Sequence, residues 1–208
     1  MADPAAKGVA LVIVDVQKGF EDPSWGRRNN PQAEENISAL LSYWRRSGLP
    51  TFHIRHLSLE EDSPLASGQP GSEIKDIVRP AEGEPVIEKS VNSAFIGTEL
   101  ETHLRDRGID TVVITGLTTD HCVSTTARMA GNLGFVTYVV SDATATFDRT
   151  GPDGKHHEAE KVHEMSLVSL HGEFAAVIST ASLTETFDVP LFRSKGSPNG
   201  VGDVRAGR

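Results

Sequence analysis

Cysteine is nearly absent from this sequence: Cys122 is the only one among 208 residues. A single cysteine excludes an intrachain disulfide. Proteins of a reducing compartment usually lack disulfides. The N-terminus lacks the apolar stretch of a signal peptide, and no apolar run reaches the length of a membrane span. We therefore expect a cytoplasmic protein with no membrane partner.

Basic residues are also scarce, since 20 Lys and Arg stand against 29 Asp and Glu and give a formal net charge of −9. A nucleic-acid partner calls for a concentrated basic surface, so none is expected. The length suits one domain with a substantial core. We place that domain at residues 1–190 and predict a flexible tail at residues 191–208, where Gly, Ser, Asn and Arg leave little to bury.

Apolar, β-branched runs alternate with amphipathic segments along the domain. Strands are predicted at residues 8–15, 49–55, 85–89, 111–116, 135–141 and 175–179. Helices are predicted at residues 31–48, 98–108, 123–133 and 158–170. The alternation predicts a doubly wound α/β fold, a three-layer sandwich with a six-stranded, mostly parallel sheet and helices on both faces. Pro and Gly dominate residues 57–84, which we interpret as a long functional or mobile loop near the strand ends.

The lone cysteine lies where ligands usually bind in such a fold. In open parallel sheets the ligand crevice is at the carboxyl ends of the strands, and Cys122 follows the fourth strand as a helix begins. A helix N-terminus offers unpaired N–H groups and the positive end of the dipole, which favour a thiolate nucleophile. An unpaired cysteine is also commonly a small buried apolar side chain, so position alone leaves both interpretations open.

Asp15 and Lys89 end the first and third predicted strands. An aspartate among apolar neighbours is partly desolvated, which raises its proton affinity toward that of a general base, although many such residues only cap a turn. Lys89 is a surface lysine if it points outward. If it points inward, its ammonium holds Asp15 ionised and lowers the pKa of the Cys122 thiol. The polar turn at residues 116–122 can aim backbone N–H groups at an oxyanion.

Histidines near these positions give weaker hypotheses. His121 adjoins Cys122, but adjacent residues project in different directions, which disfavours His121 as the general base. His53, His56 and Asp62 contain the residue types of a metal site. Two histidines three apart on an extended segment do not share a face, so we expect no metal there.

Three motifs, in this order, resemble those of the isochorismatase-like cysteine hydrolases, the superfamily that includes nicotinamidases and N-carbamoylsarcosine amidases. They are Asp-x-Gln-x-x-Phe at residues 15–20, the lysine Lys89 after the third strand, and Gly-Leu-x-Thr-Asp-x-Cys-Val at residues 116–123. The similarity covers nearly the whole chain, from about Val9 to Leu183.

The resemblance implies a catalytic triad of Asp15, Lys89 and Cys122. It also implies a cis peptide bond between Leu117 and Thr118, and an oxyanion hole made by the backbone N–H groups of Thr118 and Cys122. In the strand order three-two-one-four-five-six, strand three lies two strands from strand one. Lys89 must therefore reach back across the sheet.

The activity implied by the resemblance is hydrolysis of an amide-type C–N bond of a small molecule through a Cys122 thioester. Family members that cleave isochorismate itself do without the cysteine, and nicotinamidases hold a metal with an Asp-x-His motif that residues 53–56 do not match. We expect no cofactor, and a homo-oligomer, either a dimer or a tetramer. The alternatives are an ester, lactam or carbamoyl substrate for the same triad, or a non-catalytic thiol-sensing or binding protein.

Substrate-binding residues are predicted from their proximity along the chain to the catalytic segments. The candidates are Phe20, Trp25, His56, Asn92 and Phe95, with Arg55 as a further polar candidate. Each of the aromatic side chains is equally compatible with a place in the core.

Overall fold

The computed structural model describes residues 8–188, and the predicted tail at residues 191–208 lies outside them. The strands, in chain order, are β1 (Val9–Val14), β2 (Thr51–His56), β3 (Val86–Lys89), β4 (Thr111–Leu117), β5 (Val136–Ala145), β6 (Arg149–Thr150), β7 (His156–His157) and β8 (Ala176–Ile178). β6 and β7 form a separate antiparallel pair, and the other six form one sheet in the order β3-β2-β1-β4-β5-β8. All neighbours in that sheet are parallel. The predicted six-stranded α/β fold is confirmed.

Helices cover both faces of the sheet. They are α1 (Ala33–Ser47), α2 (Leu100–Asp106), α3 (Ser124–Asn132), α4 (Ala159–Leu170) and α5 (Thr180–Asp188). One apolar core lies between the sheet and α1 with α5, and the other lies between the sheet and α2, α3 and α4. Alternate residues of β1 enter the two cores, so every residue of this strand is buried. Burial on both faces explains the continuous apolar run in its sequence.

Helix α5 has no counterpart among the helices predicted from the sequence. Its first turns are rich in Thr and Ser, which are weak helix formers, so local propensity does not announce it. The Asp142 carboxylate accepts a hydrogen bond from the Thr180 backbone N–H at 2.8 Å. Leu183 is buried in the α1-side core. Tertiary contacts thus stabilise a helix that the sequence pattern does not reveal.

Strand β5 is longer than predicted and ends at Ala145 instead of residue 141. The register between β4 and β5 shifts after Ile114, which brings Gly116 opposite Thr144. Gly116 has φ +116°, and a side-chain carbon there would lie 1.9 Å from the Val14 carbonyl oxygen. Only glycine fits at this close approach of β4 to β1.

The long segment at residues 57–84 is a loop, as predicted, with two short 3₁₀ turns at Pro70–Ser72 and Asp76–Val78. It runs beside the segment that follows β1, because the Lys75 N–H donates to the Val16 carbonyl and the Lys18 N–H donates to the Glu73 carbonyl, each at 2.9 Å. The loop therefore lies at the carboxyl edge of the sheet. None of the helices between residues 8 and 188 has the length and apolar character needed to cross a membrane.

An ion cluster attaches this loop to α1. The buried Glu34 carboxylate accepts two hydrogen bonds from the Arg28 guanidinium, at 2.8 and 2.7 Å, and one from the Lys75 ammonium at 2.9 Å. Burial raises the pKa of Glu34, but the hydrogen bonds and charges of the two cations outweigh it and lower the pKa to about 2. Glu34 is therefore ionised at neutral pH.

Candidate active site

The structure brings Asp15, Lys89 and Cys122 together at the carboxyl edge of the sheet. Asp15 is the first residue after β1 and has φ +52°, and Lys89 is the last residue of β3. Cys122 lies in a π-helical turn, Thr119–Val123, that leads from β4 into α3. The side chains of Asp15 and Lys89 are 0% exposed, and Cys122 is buried as well.

The Lys89 ammonium links the group. Its Nζ lies 2.6 Å from Asp15 Oδ2, 3.1 Å from His56 Nδ1 and 3.4 Å from Cys122 Sγ. An ammonium has three N–H donors, and here each has one acceptor. The other Asp15 oxygen, Oδ1, has no hydrogen-bond partner among the described residues. It is thus free to accept a further proton.

Burial has the largest effect on the pKa values of Asp15 and Cys122, the two groups that would exchange a proton. Burial raises the pKa of Asp15 above its usual value, against the charge and hydrogen bond of Lys89. Burial and the Asp15 charge raise the pKa of the Cys122 thiol to about 12, and Lys89 lowers it only in part. Lys89 lowers the thiol pKa, as predicted for an inward-pointing lysine, but burial and the nearby carboxylate outweigh it, and the sequence shows neither of these. The thiol is neutral at rest, beside a carboxylate with increased basicity.

The turn that carries the nucleophile has an unusual backbone. The Leu117–Thr118 peptide bond is cis. The Thr118 carbonyl accepts hydrogen bonds from the N–H groups of both His121 and Val123, each at 3.2 Å. The His121 side chain is 52% exposed and contacts Asp120, so it does not enter the group around Lys89. This position agrees with the argument against His121 as the base.

Three polar contacts that were not predicted from the sequence hold two side chains of this turn, Asp120 and Thr119. Asp120 accepts hydrogen bonds from the Arg149 guanidinium, at 2.8 Å to Nε, and from the Thr146 hydroxyl. The hydroxyl of Thr119 lies 2.9 Å from Nδ1 of the buried His163. Asp120 belongs to the motif at residues 116–123, so the motif could have pointed to a role for its side chain. His163 is 44 residues away from Thr119 along the chain, and no motif in the sequence links the two.

Gln17 is a second residue that sequence reasoning left out of the site. Its fully buried side-chain amide brackets the His56 backbone, since Oε1 accepts from the His56 N–H at 2.8 Å and Nε2 donates to the His56 carbonyl at 2.9 Å. The same Nε2 donates to the Ser72 carbonyl at 3.0 Å. Its place in the Asp-x-Gln motif was the available signal.

Among the predicted substrate-binding residues, His56 and Asn92 lie beside the triad. Asn92 Oδ1 is 3.9 Å from Cys122 Sγ. Asn92 also lines a cavity of about 540 Å³ between the segment after β3 and helix α3. Arg55 pairs with Glu88 on the neighbouring strand and takes no part in the contacts of Lys89.

The aromatic candidates occupy other places. Phe20 is 5% exposed and packs in the α1-side core, on the face of the sheet opposite the core that contains Cys122. Trp25 is half-buried against Phe20, with ring centroids 5.1 Å apart. Phe95 is half-buried and stacks on Phe135 at 5.8 Å. Of the two interpretations of Phe20, a substrate-binding residue or a core residue, the structure therefore supports the core residue.

The histidines of β2 point to different neighbours. His53 Nε2 lies 2.9 Å from Glu84, whereas His56 faces Lys89. Within residues 8–188, one group of three metal-ligating side chains has its ligand atoms within 4.8 Å of one another, namely Asp15, His56 and Cys122. The Lys89 ammonium lies among these atoms, so a positive charge already occupies the place that a bound cation would take.

Comparison with known proteins identifies the family of this chain. A sequence model of the isochorismatase domain matches residues 9–182. The chain belongs to the isochorismatase family. The resemblance seen in the sequence motifs is thus confirmed, and the predicted hydrolase class is confirmed at the level of this family.

Three relatives illustrate the range of the isochorismatase family. The chain is 51% identical to the isochorismatase family protein YrdC of Bacillus subtilis, over 86% of this chain and 95% of YrdC. It is 28% identical to nicotinamidase 3 of Arabidopsis thaliana, over 87% of this chain and 89% of that protein. It is also 28% identical to the ureidoacrylate amidohydrolase RutB of Caulobacter vibrioides, over 88% of this chain and 72% of RutB.

Two solved structures show the same fold. A protein of the isochorismatase family from Chromobacterium violaceum superposes with a TM-score of 0.83 and 46% identity, over 86% of this chain and 93% of that one. A cysteine hydrolase from Pseudomonas syringae superposes with a TM-score of 0.79 and 25% identity, over 86% of this chain and 92% of that one.

Proposed function

We propose that this protein is a cysteine hydrolase that cleaves an amide-type C–N bond of a small molecule through a thioester on Cys122. One observation carries the proposal: the buried Lys89 ammonium binds both the Asp15 carboxylate, at 2.6 Å, and the Cys122 thiol, at 3.4 Å. A thiol and a basic carboxylate that share one cation form a nucleophile with its proton acceptor. Such a group is costly to bury for structural reasons alone.

The first step forms the thioester. The Asp15 carboxylate takes the thiol proton while Cys122 Sγ attacks the substrate carbonyl carbon, so a C–S bond forms and the carbonyl electron pair moves to oxygen. The backbone N–H groups of Thr118 and Cys122 hold that oxyanion. The intermediate then collapses, the C–N bond breaks, and the protonated Asp15 gives its proton to the departing nitrogen.

The second step releases the acid. Asp15, ionised again, takes a proton from water as the water oxygen attacks the thioester carbon. The C–S bond breaks, the sulfur takes the proton back from Asp15, and the free thiol is restored. Lys89 keeps its charge in both steps and offsets the negative charge that passes between carboxylate and sulfur. No metal or organic cofactor takes part in this scheme.

The amide-type bond is supported by two relatives, which are named a nicotinamidase and a ureidoacrylate amidohydrolase. The cavity of about 540 Å³ beside Asn92 opens next to the triad but is not lined by Asp15, Lys89 or Cys122, so the size of the substrate rests on the relatives. We place the enzyme in the cytoplasm, in line with its single cysteine, and as a homo-oligomer, in line with the family resemblance. Light scattering after size exclusion measures the oligomeric state.

The test is hydrolysis of a panel of small amides, ureas, esters and lactams, followed by the release of ammonia, amine or alcohol. We expect turnover of at least one amide and a loss of about 10⁴-fold or more in Cys122→Ala. An acyl adduct on Cys122, seen by intact-mass measurement after acid quench, identifies the thioester. Val168→Ala, which trims an exposed side chain on α4, is the matched control and should keep full activity.

Three outcomes would count against the proposal. Full turnover by Cys122→Ala removes the nucleophile from the scheme. Turnover of esters or lactams alone supports the same triad with another substrate class. Alkylation of Cys122 without turnover of any compound supports a thiol-sensing or binding protein on this fold.

A further inference from the structure

We propose that His56 is a positioning residue for the triad: its neutral imidazole accepts the third N–H of Lys89 and thereby points the ammonium at Asp15 and Cys122. The proposal rests on the proposed function, because it concerns the same triad. It replaces the sequence-based hypothesis that His56 binds substrate.

The hydrogen-bond donors of the Lys89 ammonium match the acceptors around it in number. The Lys89 ammonium is 0% exposed, so no surrounding water can complete its hydrogen bonds. Asp15 Oδ2 and Cys122 Sγ take two of its three N–H groups, and His56 Nδ1 takes the third at 3.1 Å. Without an acceptor at His56 the ammonium is free to rotate away from Sγ.

The His56 ring is held in place by its own backbone. The buried amide of Gln17 binds both the N–H and the carbonyl of His56, at 2.8 and 2.9 Å. The remaining N–H of that amide binds the Ser72 carbonyl at 3.0 Å, so every polar atom of the Gln17 amide is used. His56 also pairs in register with Lys89 across β2 and β3. The backbone that carries the imidazole is therefore fixed beside the ammonium.

The imidazole also has the protonation state that the role requires. Burial and the Lys89 charge lower the pKa of His56 to about 4, against a hydrogen bond to the Val91 backbone. The charged or titratable groups that face it are Lys89 from β3, Asp15 from the end of β1 and Cys122 from the turn before α3. At neutral pH His56 is uncharged and its Nδ1 accepts a hydrogen bond from the Lys89 ammonium.

The experiment compares His56→Leu, which removes the acceptor, with His56→Asn, whose side-chain oxygen lies close to the place of Nδ1. Each variant is alkylated with iodoacetamide in the absence of substrate, and its kcat and KM are measured on an amide from the panel. In His56→Leu we expect kcat to fall about tenfold or more, KM to stay within about twofold, and alkylation at pH 8 to slow about threefold. In His56→Asn kcat should return to within about threefold of the wild type, and alkylation should return to the wild-type rate.

Controls separate this role from a structural one. His103→Leu changes another histidine, which is half-buried on α2 beside Phe52 and Arg107, and should leave kcat and alkylation unchanged. If His56→Leu does not fold, as judged by circular dichroism, His56→Ala takes its place with the same expected values.

Three results would overturn the proposal. A raised KM with unchanged kcat in His56→Leu makes His56 a substrate contact. Wild-type kcat and alkylation in His56→Leu leave it without a role. Equal losses in His56→Leu and His56→Asn make the role structural. Because alkylation requires no amide, it tests His56 even if no compound in the panel is hydrolysed, so failure of the proposed function and failure of this proposal are distinguishable.

Discussion

The Lys89 ammonium lies 2.6 Å from Asp15 Oδ2 although the whole of β2 separates their strands. Neighbouring strands are about 4.8 Å apart, so the two backbones are separated by about 10 Å. The long lysine side chain crosses this gap, and Asp15 meets it from a position just past the end of β1. Both groups are removed from solvent, so each buried charge is stabilised by the opposite charge of the other.

Asp15→Asn tests the carboxylate as the base. The amide oxygen still accepts a hydrogen bond from Lys89 but takes no proton, so we expect the rate to fall by about 10²–10⁴-fold. The variant leaves a buried ammonium without its counter-charge, and its unfolding free energy should drop by about 3 kcal/mol. Steady-state kinetics and urea unfolding measure the two effects. Asp106→Asn, on the exposed surface of α2, should change neither. A variant that loses stability but keeps its rate would make Asp15 structural.

The pH dependence of Cys122 alkylation tests the neutral resting thiol. With a thiol pKa of about 12, the thiolate is about one part in ten thousand at pH 8. We therefore expect the rate of reaction with iodoacetamide to rise about tenfold per pH unit between pH 7 and pH 10. A short peptide with one cysteine, measured in parallel, should level off near pH 9. A plateau for the protein near neutral pH would show a stable thiolate and contradict the expectation.

Glu34→Gln tests the ion cluster that attaches the loop at residues 57–84. The pKa of Glu34 is lowered from 4.5 to about 2 in the folded state, which corresponds to about 3 kcal/mol of stability at neutral pH. Because the folded pKa is the lower one, this stability is present above pH 4.5 and is lost as pH falls through about 2. Urea unfolding at several pH values should show the wild type and variant converging as pH falls. Glu35→Gln, which is exposed on the same helix, should show no difference; equal curves for both variants would contradict the prediction.

The strands and the triad positions were largely predictable from the sequence. Apolar runs fully buried in the sheet leave a clear pattern, and Asp15, Lys89 and Cys122 were found because polar residues stand where those runs end. The reach of Lys89 across β2 came from the family resemblance, because residue spacing carries no information on it. The predicted and observed strand limits differ mainly at β5. There the shift in register opposite Gly116 extends the pairing of β5 with β4.

The supporting contacts were not predictable in the same way. Gln17 meets His56 across 39 residues, and Thr119 meets His163 across 44. Such side-chain contacts depend on how loops return to the sheet edge and leave no local periodicity. The net pKa of Cys122 could not be predicted for a related reason, because the depth of burial is a property of the packed structure.

The place of Lys89 among Asp15, His56 and Cys122 has a consequence for engineering. A carboxylate, an imidazole and a thiolate are the ligand types that zinc prefers, and these three lie within 4.8 Å of one another. Replacing Lys89 by alanine would leave them facing one another with no cation between them. The chain thus carries the counter-charge of these three side chains in covalent form, fixed when the protein is made.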